Sequence, residues 1–136
     1  MKEQLFEMLI PRRPVSLQAK NRNNLQDWKA FIYGRARSEW KGGVPYQASG
    51  IRLTLVYLCD DSPADIDNII KPIQDALVGV VFADDALISD VDSHRRFISE
   101  GIDLTNLPPL LIEGAVYGEE CVYVRVSLSE NLEVYL

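Results

Sequence analysis

The chain has 136 residues, 47 % hydrophobic and 25 % charged, enough for one domain with a modest core. No run approaches the roughly 18 apolar residues of a membrane span. One histidine and two cysteines exclude a two-histidine zinc motif, a four-thiolate zinc site and a disulfide framework, and they argue against a Ser-His-Asp hydrolase.

The net charge of −6 is unevenly spread. Residues 1–52 carry ten Lys and Arg against four acids, or +6, and the remainder is −12. This asymmetry suggests a basic surface for polyanions beside an acidic centre for cations. The opening Met1-Lys2-Glu3-Gln4-Leu5-Phe6-Glu7 places acids where a signal peptide carries basic and then apolar residues, so a cytoplasmic protein is expected.

Leu5 to Ile10 reads as a short strand stopped by Pro11-Arg12-Arg13-Pro14. Asn21 to Asn24 supplies N-cap candidates. Leu25, Trp28, Ile32 and Ala36 keep helical spacing to about Trp40, with Gly42-Gly43-Val44-Pro45 ending the helix. Ile51 to Cys59 alternates and is rich in β-branched and aromatic residues, as a strand is. Asp60-Asp61-Ser62-Pro63 ends it. Cys59 and Cys121 each lie in an apolar run and read as buried, inert thiols.

Asp65-Ile66-Asp67-Asn68 follows, then Lys71, Pro72 and Asp75-Ala76-Leu77. Inside one helix, residues i and i+2 point to nearly opposite sides, so Asp65 and Asp67 could not share a cation there. Proline is tolerated mainly in a first helical turn. Pro72 therefore predicts a helix from about Asn68 or Ile69 to about Val80, with Asn68 as N-cap and Asp65 to Asp67 extended. Lys71 and Asp75 then form an i, i+4 pair. Phe82 to Leu87 is a loop carrying Asp84 and Asp85, and Ile88 to Ile98 a strand with Arg95 and Arg96 exposed near its end. The prolines at 108 and 109 predict irregular structure between Gly101 and Gly118, and Cys121 to Leu128 is the last strand. The expected fold is a single α/β (α+β) domain spanning residues 1–136, a mixed sheet packed by two helices.

Apolar segments seldom carry carboxylates, because desolvating an unpaired one is costly. A group of them commonly serves a hard cation such as Mg²⁺. An EF-hand counted from Asp65 fails, since its sixth and twelfth positions are Ile70 and Ala76 instead of Gly and Glu. The order of elements does not match a receiver domain, and Asn68 stands where an Asp-x-Asp phosphatase carries Thr or Val. Asp60, Asp61, Asp90 and Asp92 read as structural.

Asp65-Ile66-Asp67-Asn68-x-x-Lys71, Asp75-Ala76-Leu77 and Asp84-Asp85-x-x-Ile88 together closely resemble the signature of the RusA family of Holliday junction resolvases. Pro11-x-x-Pro14-Val15-Ser16 resembles the proline-containing N-terminal segment of that family. The resemblance implies a RusA-like fold and a small homodimeric endonuclease acting on branched DNA, the four-way junction, with Mg²⁺ as cofactor and Mn²⁺ as substitute. Asp65, Asp67 and Asp85 would be its metal ligands and, with Lys71, its catalytic set. Arg12, Arg13, Lys20 and Arg22, and more weakly Arg95 and Arg96, are candidates for phosphate contacts that position DNA without reading its sequence. Three features depart from the family: Ala64 precedes the first aspartate where a basic residue is common, the stretch from Ser99 to Glu120 is long, and the second half is strongly acidic. A non-catalytic binding module of the same fold and a metal-dependent nucleotide phosphohydrolase are the alternatives.

Overall fold

The computed structural model describes residues 4–136. Met1, Lys2 and Glu3, on which part of the N-terminal reading rests, lie outside them. Four strands, β1 (Gln4–Ile10), β2 (Ile51–Cys59), β3 (Ile88–Phe97) and β4 (Cys121–Leu128), form one mixed sheet in the order β1-β4-β2-β3. β4 runs antiparallel to both β1 and β2, whereas β3 lies parallel to β2. Parallel neighbours need a crossover, and helix α2 (Ile70–Leu77) supplies it.

Period-two alternation assigns the faces. Phe6, Met8 and Ile10 of β1, Leu53, Leu55 and Tyr57 of β2, and Val122, Val124 and Val126 of β4 face one way, into the main core. Helix α1 (Arg22–Glu39) covers this face with Trp28, Ile32 and Ala36, and α2 covers it with Ile73, Ala76 and Leu77. Asn21 caps α1 as expected, its side-chain oxygen accepting from the amides of Asn23 (2.9 Å) and Asn24 (3.2 Å). On the opposite face a smaller cluster of Leu58, Leu111, Cys121 and Tyr123 packs under helix α3 (Pro109–Tyr117). Both cysteines are free and buried, as expected. Among the described residues, no helix is long and apolar enough to cross a membrane.

Three local expectations change. Pro108 and Pro109 do not break regular structure: they are the N-cap and first residue of α3, where a missing amide costs nothing. Gly118, with φ of 80°, ends that helix. With the short α4 (Leu132–Tyr135) after β4, the described residues form four α-helices instead of two. Helix α2 is also shorter than expected, because Val78 turns extended and Gly79 adopts a φ of 84°.

Candidate active site

The acids sit on the segment joining β2 to α2. Asp65 to Asp67 is not the extended stretch expected. Residues 66–69 form a turn, closed by the Asn68 amide donating to the Asp65 carbonyl (3.1 Å) and the Ile70 amide donating to that of Asp67 (3.4 Å). Asn68 does not cap α2, whose N-cap is Ile69. Its side-chain amide instead donates to Asp65 Oδ2 (3.4 Å), and its carbonyl accepts from the Leu17 amide (2.9 Å). Asp65 and Asp67 are both exposed. Pro72 falls in the first turn of α2, as its chemistry requires.

The second acidic stretch is presented by a short 3₁₀ turn, Asp85–Leu87. Asp84 caps it, Oδ1 accepting from the Ala86 amide (2.9 Å). That hydrogen bond, together with the Asp85 side chain, holds the Asp84 carboxyl below its ordinary value. Asp85, next in line, reaches α2: its Oδ2 lies 3.5 Å from Lys71 Nζ and accepts from Gln74 Nε2 at 3.4 Å.

Lys71 is the hub of this arrangement. Its ammonium lies 2.7 Å from Asp75 Oδ1 on its own helix and bridges to Asp85 on the other side. The Asp75 hydrogen bond and then the Asp75 charge raise the Lys71 pKa, desolvation opposes them, and Asp85 adds a lesser upward pull. Asp75 is shared with α1, its Oδ2 lying 3.8 Å from Lys29 Nζ. Lys71 and Gln74, three residues apart, present donors from one helix face to Asp85. Gln74 and Lys29 did not stand out in the sequence. The i, i+3 spacing of Gln74 from Lys71 was the available signal, whereas nothing marked Lys29.

The structure thus joins Lys71, Asp75 and Asp85. Among the described residues, no group of three or more Asp, Glu, His or Cys side chains is close enough to hold a metal ion. Asp65, Asp67 and Asp85, expected to share one cation, are thus not gathered as a ligand set, although each is a hard oxygen donor of the kind Mg²⁺ takes. Asp65 and Asp67 offer exposed carboxylates in no ion pair among the described residues, and the Asp85 side chain is 42 % exposed.

Basic residues frame the acidic turn on both sides. The Leu17 to Asn68 hydrogen bond ties the segment after β1 to the turn. That segment and the start of α1 enclose a cleft of about 370 Å³ lined by Arg12, Arg13, Lys20, Asn21, Asp27 and Trp28. Arg12 stacks over Phe31 at 4.3 Å, and Lys20 and Arg22 are exposed. Arg13 also ties the cleft to the sheet, since its guanidinium donates to Glu120 (3.1 Å) and to the Ser62 carbonyl (2.6 Å). On the other flank, Arg95 donates to the Ala64 carbonyl (3.4 Å) and Ser93 to that of Ile66 (3.4 Å). Arg96 is exposed.

The same residues carry a family match. Residues 11–105 match the family model described as endodeoxyribonuclease RusA, which spans the basic segment, the acidic turn, Lys71 and β3. No curated protein matches the chain significantly. The matched stretch is most of the chain, and the family implies hydrolytic cutting of DNA. The chain belongs to the RusA family of endodeoxyribonucleases.

Proposed function

We propose that this protein is a Mg²⁺-dependent, structure-specific endodeoxyribonuclease that works as a homodimer and cuts four-way DNA junctions by paired nicks, in recombination and repair. The observation that carries the reading is the Lys71 ammonium bridging Asp75 and Asp85 beside the Asp65–Asp67 turn, in a chain of this family.

Asp65, Asp67 and Asp85 are the residues that would hold the cation, with Mn²⁺ as a substitute for Mg²⁺. When bound, such an ion activates water and relieves charge at the leaving oxygen. Everything else falls to the chain itself. Lys71, held by Asp75, offers a positioned positive charge to a phosphoryl group as negative charge grows in the transition state. Gln74 and Lys71 hold Asp85 in place. Arg12, Lys20 and Arg22 bind backbone phosphates and bring the strand to the turn, as does Arg13 from its tether to Glu120. Arg95 serves the opposite flank more weakly. Such contacts fix position and register without reading bases. A two-fold dimer suits a junction of near two-fold symmetry, because opposing nicks need two equivalent sites.

The test uses a labelled synthetic four-way junction, a linear duplex of the same sequence and a nucleoside triphosphate, each with Mg²⁺ and with chelator. The proposal expects Mg²⁺-dependent nicks in opposing strands of the junction alone. Hydrolysis of the nucleotide with an intact junction would favour a phosphohydrolase. Tight junction binding without cutting in any divalent metal would favour a binding module.

A further inference from the structure

β3 is a sheet edge. It pairs with β2 on one side, and among the described residues no strand pairs with its other side. An unpaired edge of this length invites another chain, and proteins protect such edges with prolines, bulges or charges. The opposite edge, β1, runs directly into Pro11 and Pro14. β3 spans ten residues without a proline, and its register with β2 is regular from Asp90 to Phe97. Val91 is 42 % exposed in its middle.

The strand does carry charges, and their order is informative. The even positions face the α3 side of the sheet: Asp92 accepts from Arg52 (2.7 Å) and Thr54 (3.0 Å), and His94 and Arg96 line a cavity with Val56 and Leu58. Along that row the sequence runs Asp90, Asp92, His94, Arg96, acidic then basic. Asp92 is already paired within the chain, to Arg52 and to His94 (2.9 Å), whereas Asp90 and Arg96 are in no ion pair among the described residues. Two antiparallel copies related by a two-fold axis normal to the sheet keep their faces, so even residues meet even residues. With the axis at Ser93, Asp90 meets the partner's Arg96, twice. Moving the axis to residue 92 or 94 sets Asp92 or His94 against itself.

We propose that β3 is the dimer strand: two copies pair antiparallel about Ser93, joining their sheets into one of eight strands. This rests on the homodimer of the proposed function and names its surface. Ser93 also touches the acidic turn through the Ile66 carbonyl. The pairing therefore places both acidic turns on one face of the joined sheet, flanking the axis, where a two-fold substrate would meet them.

The test is sedimentation velocity of the full chain over a concentration series. Asp90→Arg and Arg96→Asp each turn an attraction into a repulsion at two symmetric places, so each should weaken self-association by at least about tenfold. The double variant carrying both substitutions should recover to within about threefold of the original. Mixing the two single variants should give a heterodimer, because both of its pairs are then complementary. That recovery also shows that each single variant is folded. A monomeric wild-type chain, or a dimer indifferent to both single substitutions, would overturn the pairing. Loss in the single variants without recovery in the double or the mixture would overturn the register. Junction cutting by the wild-type chain, measured alongside, reads the nuclease proposal separately. A cutting dimer indifferent to these substitutions sinks only the surface, and a β3-paired dimer that never cuts sinks only the chemistry.

Discussion

Glu120 is the point at which the fold controls the basic flank, and its removal has a calculable cost. Its side chain is 10 % exposed and accepts from Tyr57 Oη (2.9 Å), the Asp60 amide (3.0 Å) and Arg13 Nη1 (3.1 Å). The contributions differ because the donors differ in access to water. Arg13 is half exposed and can rehydrate, so its share is small, about 0–1 kcal/mol. Tyr57 is fully buried, and a phenol left without its carboxylate acceptor costs about 1–3 kcal/mol. The Asp60 amide adds about 1 kcal/mol. Glu120→Ala should therefore destabilise the protein by about 3 kcal/mol, seen in urea as a midpoint lowered by roughly 1.5 M for a slope of about 2 kcal/mol/M. In a Tyr57→Phe background the orphaned hydroxyl is gone, so the same substitution should cost about 1–2 kcal/mol less. The Arg13 tether is lost as well, and junction affinity should fall several-fold at low salt in conditions where the variant remains folded. An equal cost in both backgrounds, or a cost below about 1 kcal/mol, would refute the view that Glu120 acts through the buried phenol.

Three further outcomes follow from the geometry. Lys71→Ala should lower the cutting rate about a hundredfold, as loss of a positioned charge does, while gel-shift affinity for the junction changes only a few-fold. Burial pushes the Asp92 carboxyl up, but hydrogen bonds from Arg52, His94 and Thr54 outweigh it and hold the pKa below its ordinary value. The unfolded chain then binds more protons than the folded one in acid, so this stability is present above about pH 4 and is lost as pH falls through the folded value. Urea midpoints between pH 2.5 and 6 should show that loss in the wild-type chain and a flatter profile in Asp92→Asn. Burial, with the Glu120 charge adding to it, pushes the Cys121 thiol up to about 11. Iodoacetamide at pH 8 should leave Cys121 unmodified until the protein is unfolded, as read by mass spectrometry.

The parts of the fold that rest on local periodicity were legible in the sequence. The stripe of Trp28, Ile32 and Ala36 and the Asn21 cap mark α1, and alternation marks β2 and β4. Prolines were read correctly at Pro72 and wrongly at Pro108 and Pro109, because a proline that would break a helix interior sits without cost at a helix start, where all three lie. The early end of α2 depended on Gly79 adopting positive φ, a choice made by the turn back toward Phe82, whose carbonyl accepts from the Gly79 amide at 2.8 Å. Within the site, the Lys71–Asp75 pair follows from helical spacing alone. The approach of Asp85 to Lys71 is tertiary, and in the sequence it showed only through the family signature. The Arg13–Glu120–Tyr57 link joins residues as much as 107 positions apart, and no local pattern announces it.

The most direct test of the central claim is single-turnover cutting of a synthetic four-way junction in Mg²⁺, at protein concentrations that saturate binding, by the wild-type chain and by Asp65→Asn, Asp67→Asn and Asp85→Asn. The account predicts opposing nicks from the wild-type chain and none from any of the three variants, although each still shifts the junction in a gel. A wild-type rate from any one of them would contradict the assignment of that carboxylate to the metal, and wild-type rates from all three would remove the acidic turn from the chemistry.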